Sequence, residues 1–413
     1  MIFSSLDLAP DLQKGIDACG YKEMTPIQEQ AIIPARRGKD LLAIAQTGTG
    51  KTAAFAIPVL QQLIDKAGTT DSNATASPRA LILTPTRELA EQLAETIGAY
   101  AQFLPFRITA VYGGVKLAGQ ENKLKAGVDI LIATPGRLLE HLEQCNVDLA
   151  EVANVVLDEA DRMLDMGFVS DVQAILKLTA KKRQTLLFSA TSSQGVSELS
   201  HKIMKGFQEI RASKGHVTAD TVQHVLYSIE EHRKIDLFME LLEEYNWFQV
   251  LVFTSTKDQA DKLKLKLKKY PVAICHGDKS QGIRRRAIAD FKSGKVQILI
   301  ATEVAARGLD IQGLDYVINF NLPYLAEDYV HRIGRTGRAG SQGQAISFVS
   351  REEERSLQSI QRLIGQKIKR VKRPGFEVTP RDELVKKIEE FKRPARKNKP
   401  SQTVIKKRNK NNR

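Results

Sequence analysis

The sequence predicts an α/β protein of two domains built the same way, each a mostly parallel sheet with helices on both faces. Three observations carry that prediction. Short apolar strands alternate with amphipathic helices along most of the chain, the pattern of parallel sheets covered on both sides. At 413 residues the chain is too long for one ordinary core. Polar or charged motifs follow directly on most of the strands, where open α/β sheets place their ligands.

In the first half the candidate strands are 40–45, 80–84, 129–133, 153–157 and 184–189, with helical patterns between them, as in 87–93. The second half repeats the design with strands at 249–253, 272–275, 296–301, 316–320 and 345–349. Weaker periodicity marks 206–219 as a linker, which bounds the domains at 1–205 and 220–370. The small, polar stretch 67–75 predicts a surface loop. Residues 371–413 read as a basic tail, expected to be disordered because it cannot bury enough apolar surface to fold alone.

Charge is unevenly placed. Residues 391–413 hold ten Lys/Arg and no Asp/Glu, while the rest of the chain carries 52 basic and 48 acidic side chains. A nearly balanced body with a basic tail points to nucleic acid, because such an arm releases counterions on binding phosphates. No apolar run approaches the roughly 20 residues that span a bilayer, so no membrane role is expected. Cys19, Cys145 and Cys275 are far apart and lack CxxC spacing, which argues against a disulfide framework and a zinc site. Met1 to Asp7 lacks the pattern of a signal peptide, and the protein reads as cytoplasmic.

The chemistry concentrates in a few motifs. Val155, Val156 and Leu157 end abruptly at Asp158, Glu159 and Asp161. Buried together, three carboxylates are costly without cations; at the exit of a strand they suit Mg²⁺ and an oriented water. Upstream, Ala45, Gln46, Thr47, Gly48, Thr49, Gly50, Lys51 and Thr52 link a strand to a helix. The glycines turn backbone N–H groups toward phosphate oxygens, Lys51 reaches the β- and γ-phosphates of ATP, and the Thr52 hydroxyl joins Asp158 on the metal. Glu159 then remains to orient or deprotonate the attacking water. Far downstream, His331, Arg335 and Arg338 belong to a cluster of arginines that repel one another unless an anion lies between them.

With these motifs in this order, residues 1–365 resemble a DEAD-box ATP-dependent RNA helicase of superfamily 2, most like the bacterial RhlE-like group. The resemblance implies two RecA-like domains and ATP hydrolysis coupled to their closure on RNA. It implies an adenine site made by Gln28 and Tyr21, with Phe3 as an isolated aromatic upstream. It makes Arg335 and Arg338 arginine fingers, Gly308 and Asp310 closed-state contacts to ATP, and Asp161, Ser189, Thr191 and His331 the coupling set. The implied RNA residues are Arg87, Gly114, Thr134 and Arg137 in the first domain, with Thr254, Gly277, Arg284 and Thr302 in the second. Their backbone, hydroxyl and guanidinium groups suit phosphates and 2′-hydroxyls, so sequence-nonspecific RNA binding by a monomeric core is expected.

Two rivals compete with this reading. A DNA translocase of the same superfamily would be stimulated by DNA as well as RNA; an RNA chaperone would bind without turning over ATP. A helicase core with a generic basic tail is equally compatible with ribosome assembly, messenger decay and cold adaptation, with ribosomal precursors or RNA-decay proteins as partners. The tail itself is testable: deleting 391–413 weakens RNA binding and flattens its dependence on salt. An unchanged slope in a salt titration would remove the tail from RNA binding.

Overall fold

The computed structural model describes residues 1–46, 48–67, 77–212, 222–306, 311, 313–337 and 343–378. Thr47, residues 68–75 of the stretch read as a surface loop, Gly308, Asp310, Arg338 and residues 391–413 lie outside them. Among the described residues are two seven-stranded sheets, and every strand pair in both is parallel.

The first sheet contains β1 (Leu41–Ile44), β2 (Ala80–Leu83), β3 (Ile108–Val111), β4 (Ile130–Ala133), β5 (Asn154–Leu157), β6 (Gln184–Ser189) and β7 (Gln208–Arg211). Their order across the sheet is β3-β4-β2-β5-β6-β1-β7. The second contains β8 (Val222–Ser228), β9 (Val250–Thr254), β10 (Val272–Cys275), β11 (Ile298–Thr302), β12 (Tyr316–Asn319), β13 (Gly343–Val349) and β14 (Lys369–Val371), in the order β10-β11-β9-β12-β13-β8-β14. Offset by seven, the two orders are identical.

Helices cover both faces of each sheet, and the apolar core accordingly divides. In the first domain one cluster gathers Phe55, Leu60, Leu93 and Phe188 and the other Leu83, Leu131, Val155 and Leu187. Central strands β2, β4 and β5 are buried along their whole length. That burial on both faces is why they read as unbroken apolar runs in sequence.

Two expected boundaries move. β7 falls within the stretch read as linker, yet it pairs with β1 through Leu41↔Gln208 to Ile44↔Arg211 and so belongs to the first sheet. Its side chains are exposed except Ile210, and a polar edge strand gives no apolar signal. β14 ends, and the segment after it continues, in what was read as tail from 371 onward. Phe376 is buried in the second core under the Arg233 guanidinium, 4.4 Å from the ring centroid, and Arg373 pairs with Glu240 and Glu244.

Where helix Pro10–Ala18 crosses helix Arg87–Tyr100, Gly15 lies against the Tyr100 carbonyl, and a Cβ there would collide with it. Gly15→Ala is expected to destabilise the first domain by about 1–3 kcal/mol, as overpacking does. Denaturant unfolding checks this; an unshifted midpoint would mean the helices part freely.

Candidate functional site

The phosphate loop starts from β1, where the Ala45 N–H donates to the Ser189 carbonyl on neighbouring β6 at 2.9 Å. It ends in helix Lys51–Ala67. Gly48 and Gly50 sit at φ 81° and 89°, in the left-handed region that glycine enters without steric cost. Gly50 has a second reason to lack a side chain, since a Cβ would collide with the Gln28 amide. The Lys51 ammonium is buried and has no hydrogen-bond partner among the described residues. A buried cation without a partner is costly, and a phosphate is the ligand that relieves it.

Opposite it stand the acids at the end of β5. Asp158 is buried, and burial pushes its carboxyl up to about 6, with Lys51 pulling it down and Glu159 adding to the rise. Glu159 takes φ 54°, ψ 51°, a left-handed conformation that costs a non-glycine residue on the order of 1–3 kcal/mol. Asp161 is spent differently. One of its oxygens accepts the Ala190 and Thr191 N–H groups at 3.1 and 3.0 Å, and the other accepts the Arg162 N–H at 3.1 Å. Ser189 donates its hydroxyl to the Thr191 carbonyl at 2.8 Å. Asp161, Ser189 and Thr191 therefore meet, and the bonds to Asp161 come from backbone amides.

The second domain reaches this site through helix Ala326–Ile333. Arg162, only 2% exposed, bonds to the His331 ring and pairs with the Asp328 carboxylate, both across the cleft, and with Asp165 at 3.2 Å in its own domain. A cavity of about 450 Å³ lies alongside, lined by Ala45, Gln46, Thr191, Arg211, Glu327 and His331 among others. Arg335 follows two residues after that helix and is buried. Its neighbour Arg332 serves the domain itself, bonding Glu303 at 2.5 Å and the Asn321 carbonyl at 2.7 Å, with Phe253 4.9 Å below.

The motifs expected to hold RNA also come together. Arg87 lies over Gly113 and Gly114, where a side chain at 114 would collide with its guanidinium. Arg137 donates to the Val115 carbonyl at 3.1 Å and pairs with Glu140 at 2.8 Å. In the second domain Thr254 and Thr302 are register partners at the ends of β9 and β11. Gly277 packs against the Lys257 stem. Thr134 begins helix Pro135–Glu143. Arg284 differs from expectation: it pairs with Glu88 of the first domain at 2.8 Å, and both side chains are buried. Beside it Gln281 donates to Glu88 at 3.1 Å, and Arg285 bonds Glu91 at 2.9 Å and the Tyr112 hydroxyl at 2.6 Å. In this closed arrangement Arg284 joins the domains.

Comparison with known proteins fits this geometry. The DEAD/DEAH box helicase model matches residues 25–199, and the helicase conserved C-terminal domain matches 233–340. The DEAD-box ATP-dependent RNA helicase CshA of Bacillus subtilis is 38% identical over 377 residues, which is 91% of this chain and 75% of that protein. This chain belongs to the DEAD-box helicases. Among solved structures, S. cerevisiae Dbp5 bound to RNA and ADP BeF3 superposes with a TM-score of 0.79 at 32% identity, covering 94% of this chain and 99% of that one. DEAD-box helicase Mss116 bound to ssRNA and UDP-BeF gives 0.80 at 29% identity, covering 94% and 81%. The fold of this helicase is thus that of two RecA-like domains.

Two members of the expected adenine site are used otherwise here. Gln28 is fully buried; its oxygen accepts the Thr25 N–H at 2.8 Å and its nitrogen donates to the Gly50 carbonyl at 3.1 Å. The amide clamps the phosphate loop with one bond through each atom, and a side-chain amide has a second lone pair and a second N–H beyond these. Phe3 is 1% exposed in the first core, packed edge-on to Tyr21 at 5.6 Å, while the Tyr21 hydroxyl bonds Tyr100 at 3.0 Å. Sequence reasoning missed Arg162, Asp328, Glu88, Glu91 and Arg285, all of which bridge the domains. Pairs separated by more than 160 residues leave no local signal, although a basic residue directly after three acids was a hint in Arg162.

Replacing Arg162 with Ala leaves the first domain folded but removes the guanidinium that faces Asp328. Breaking a buried pair costs about 3–5 kcal/mol, so RNA-stimulated ATP turnover is expected to fall by about 10²-fold or more. An ATPase assay with RNA reads this directly; turnover within twofold of the parent would show that the bridge does not govern closure.

Proposed function

We propose that the chain is an ATP-dependent RNA helicase, an ATP hydrolase acting on an acid anhydride, whose two domains close on RNA and locally part short duplexes or remodel RNA–protein complexes. One observation carries the proposal: the bridge from Arg162 to Asp328 and His331 puts the second domain directly on the acidic motif. Closure and the chemical step then share residues.

Within the site, Lys51 and the loop amides hold the β- and γ-phosphates. A buried Asp158, its carboxyl raised by burial although Lys51 acts on it, beside a loop built for phosphates, fits a magnesium ion that Thr52 and Asp158 would hold together with the substrate. Mg²⁺, when bound, neutralises charge on the phosphate oxygens. Glu159 orients the water and takes its proton as the water oxygen bonds the γ-phosphorus and the bridging oxygen leaves with ADP. Arg335 and Arg338 stabilise the charge of that transition state, and Gly308 and Asp310 complete the nucleotide's contacts in the closed state. Tyr21 remains the residue for stacking adenine.

RNA binds along the carboxyl ends of both sheets, through Arg87, Gly114, Thr134 and Arg137 on one side and Thr254, Gly277, Arg284 and Thr302 on the other. ATP and RNA each favour closure, and each therefore favours the other. A monomeric core suffices, because both halves of the site lie on one chain. Three free cysteines suit a reducing cytoplasm. The basic tail keeps RNA nearby, and ribosomal precursors or RNA-decay proteins are the partners such a core would meet.

Glu159→Gln keeps the size and hydrogen-bonding shape of the side chain but cannot take a proton. It is expected to bind ATP with the parent's affinity and to hydrolyse it about 10²–10⁴-fold more slowly, the range that general-base loss produces. Equilibrium nucleotide binding beside single-turnover hydrolysis separates the two effects, and hydrolysis at the parent rate would reject Glu159 as the base.

A further inference from the structure

At the opposite end of the first sheet from the ATP and RNA motifs, a cavity of about 490 Å³ opens beside the amino ends of β1, β5 and β6. Its charge is one-sided: Arg36, Arg37, Lys66, Lys182 and Arg183 line it against the single acid Asp65. Arg37 and Lys182 are exposed, as are Lys39 and Lys181 next to them, and none of the four has an acidic partner among the described residues. Outside the tail the chain is close to charge balance, so this face concentrates cations that the composition does not demand. Like charges held together create a potential that draws an anion.

The floor of the cavity is polar and built. Gln62, Asn154 and Gln184 are buried and bonded to one another, with Gln62 donating to Gln184 at 3.1 Å and Asn154 donating to both neighbours. Gln184 in turn donates to the carbonyls of Ala35 and Lys39, both at 2.7 Å. Two polar atoms are left over: the Asn154 Oδ1 acceptor, on a residue 2% exposed, and the Arg183 Nε donor. Buried groups without partners call for a ligand or an ordered water. Both atoms are closed off at the floor, so the groups open to a ligand are the cations above it, Arg37, Lys182 and the half-buried Arg183, and these suit phosphate oxygens.

We propose that this cavity is a second RNA site, taking the sugar-phosphate backbone of a strand that extends past the helicase rim. The proposal rests on RNA being the chain's substrate. Gln184 and Ser189 are the two ends of β6, about 17 Å apart at 3.3 Å per residue, so the cavity is separate from the coupling motif. A short oligonucleotide fills the rim alone, whereas a longer one reaches both. A free polyphosphate shares the phosphate chemistry, but the cations continue over the surface at Lys39 and Lys181, as an extended backbone requires.

The test uses the full chain carrying Arg37→Glu and Lys182→Glu, two exposed positions outside the catalytic machinery, beside a charge-keeping control with Arg37→Lys and Lys182→Arg. With a long single strand the reversed variant is expected to bind about tenfold more weakly, with its salt slope reduced by about 1.4, at 0.7 per lost phosphate contact. The control keeps the parent's values, and ATP turnover at saturating short RNA is the same in all three. Photocrosslinking of long RNA places contacts in 36–39 and 181–184. Parent-like affinity and slope in the reversed variant would overturn the proposal, as would protection of these segments from hydrogen exchange by tripolyphosphate but not by long RNA. Absence of stimulation by short RNA in the parent would instead overturn the helicase reading itself.

Discussion

The Arg162 guanidinium, held between the domains by Asp328 and His331, is the interaction on which the closed form depends. Moving an ion out of water costs several kcal/mol, and in a separated first domain this arginine would lose Asp328 and keep Asp165, with Asp161 and Glu159 nearby. Its burial is complete only when both domains are present. Closure is therefore paid for by the contacts that the two ligands add, rather than being the default shape of the chain. That leaves an equilibrium balanced finely enough for ATP and RNA to tip it.

Around this bridge, a continuous path of hydrogen bonds joins the parts of the site. It runs from the Ala45 N–H to Ser189, from Ser189 to Thr191, and from the Ala190 and Thr191 amides to Asp161, whose other oxygen holds the Arg162 N–H. The path thus links the phosphate loop to the backbone of Arg162. On the RNA side, Glu88 begins the helix that Arg87 opens, and Arg284 and Gln281 reach Glu88 from the second domain. The element that presents Arg87 is thus also the element that closure clamps. Under the proposed function, binding and closing are linked because they use the same turn of helix.

Much of this was legible in the sequence, for identifiable reasons. Strand β6 and strand β10 were read with their observed ends, and the buried strands β2, β4, β5 and β9 within one residue, because burial on both faces leaves an unbroken apolar run. The edge strands β7 and β14 were missed because they carry polar residues: β7 buries Ile210 alone, and β14 reads Lys-Arg-Val; β3, Ile-Thr-Ala-Val, is an edge strand that is mostly half-buried. In β8 the run is interrupted by Gln223 and His224. The phosphate loop and the acidic motif are contiguous, so their chemistry could be read locally. What stayed hidden was competition between partners: nothing in the sequence says that Gln28 faces Gly50, or that Arg284 meets a carboxylate in the other domain.

The matching strand order of the two sheets has a consequence for how the active site is divided. The two domains are the same blueprint used twice, and the asymmetry between them lies in the loops. After β1 the chain supplies Gly48, Gly50 and Lys51; after the equivalent β8 it supplies Glu230 and Glu231, which would repel a phosphate. At the ends of β2 and β9, by contrast, both copies keep a threonine, Thr84 and Thr254, as do the ends of β4 and β11 with Thr134 and Thr302. One half thus carries the phosphate loop and the other does not, while both set a threonine at the matching strand ends. Under the proposed function, one substrate backbone is gripped from two like frames, and only one of them carries fuel.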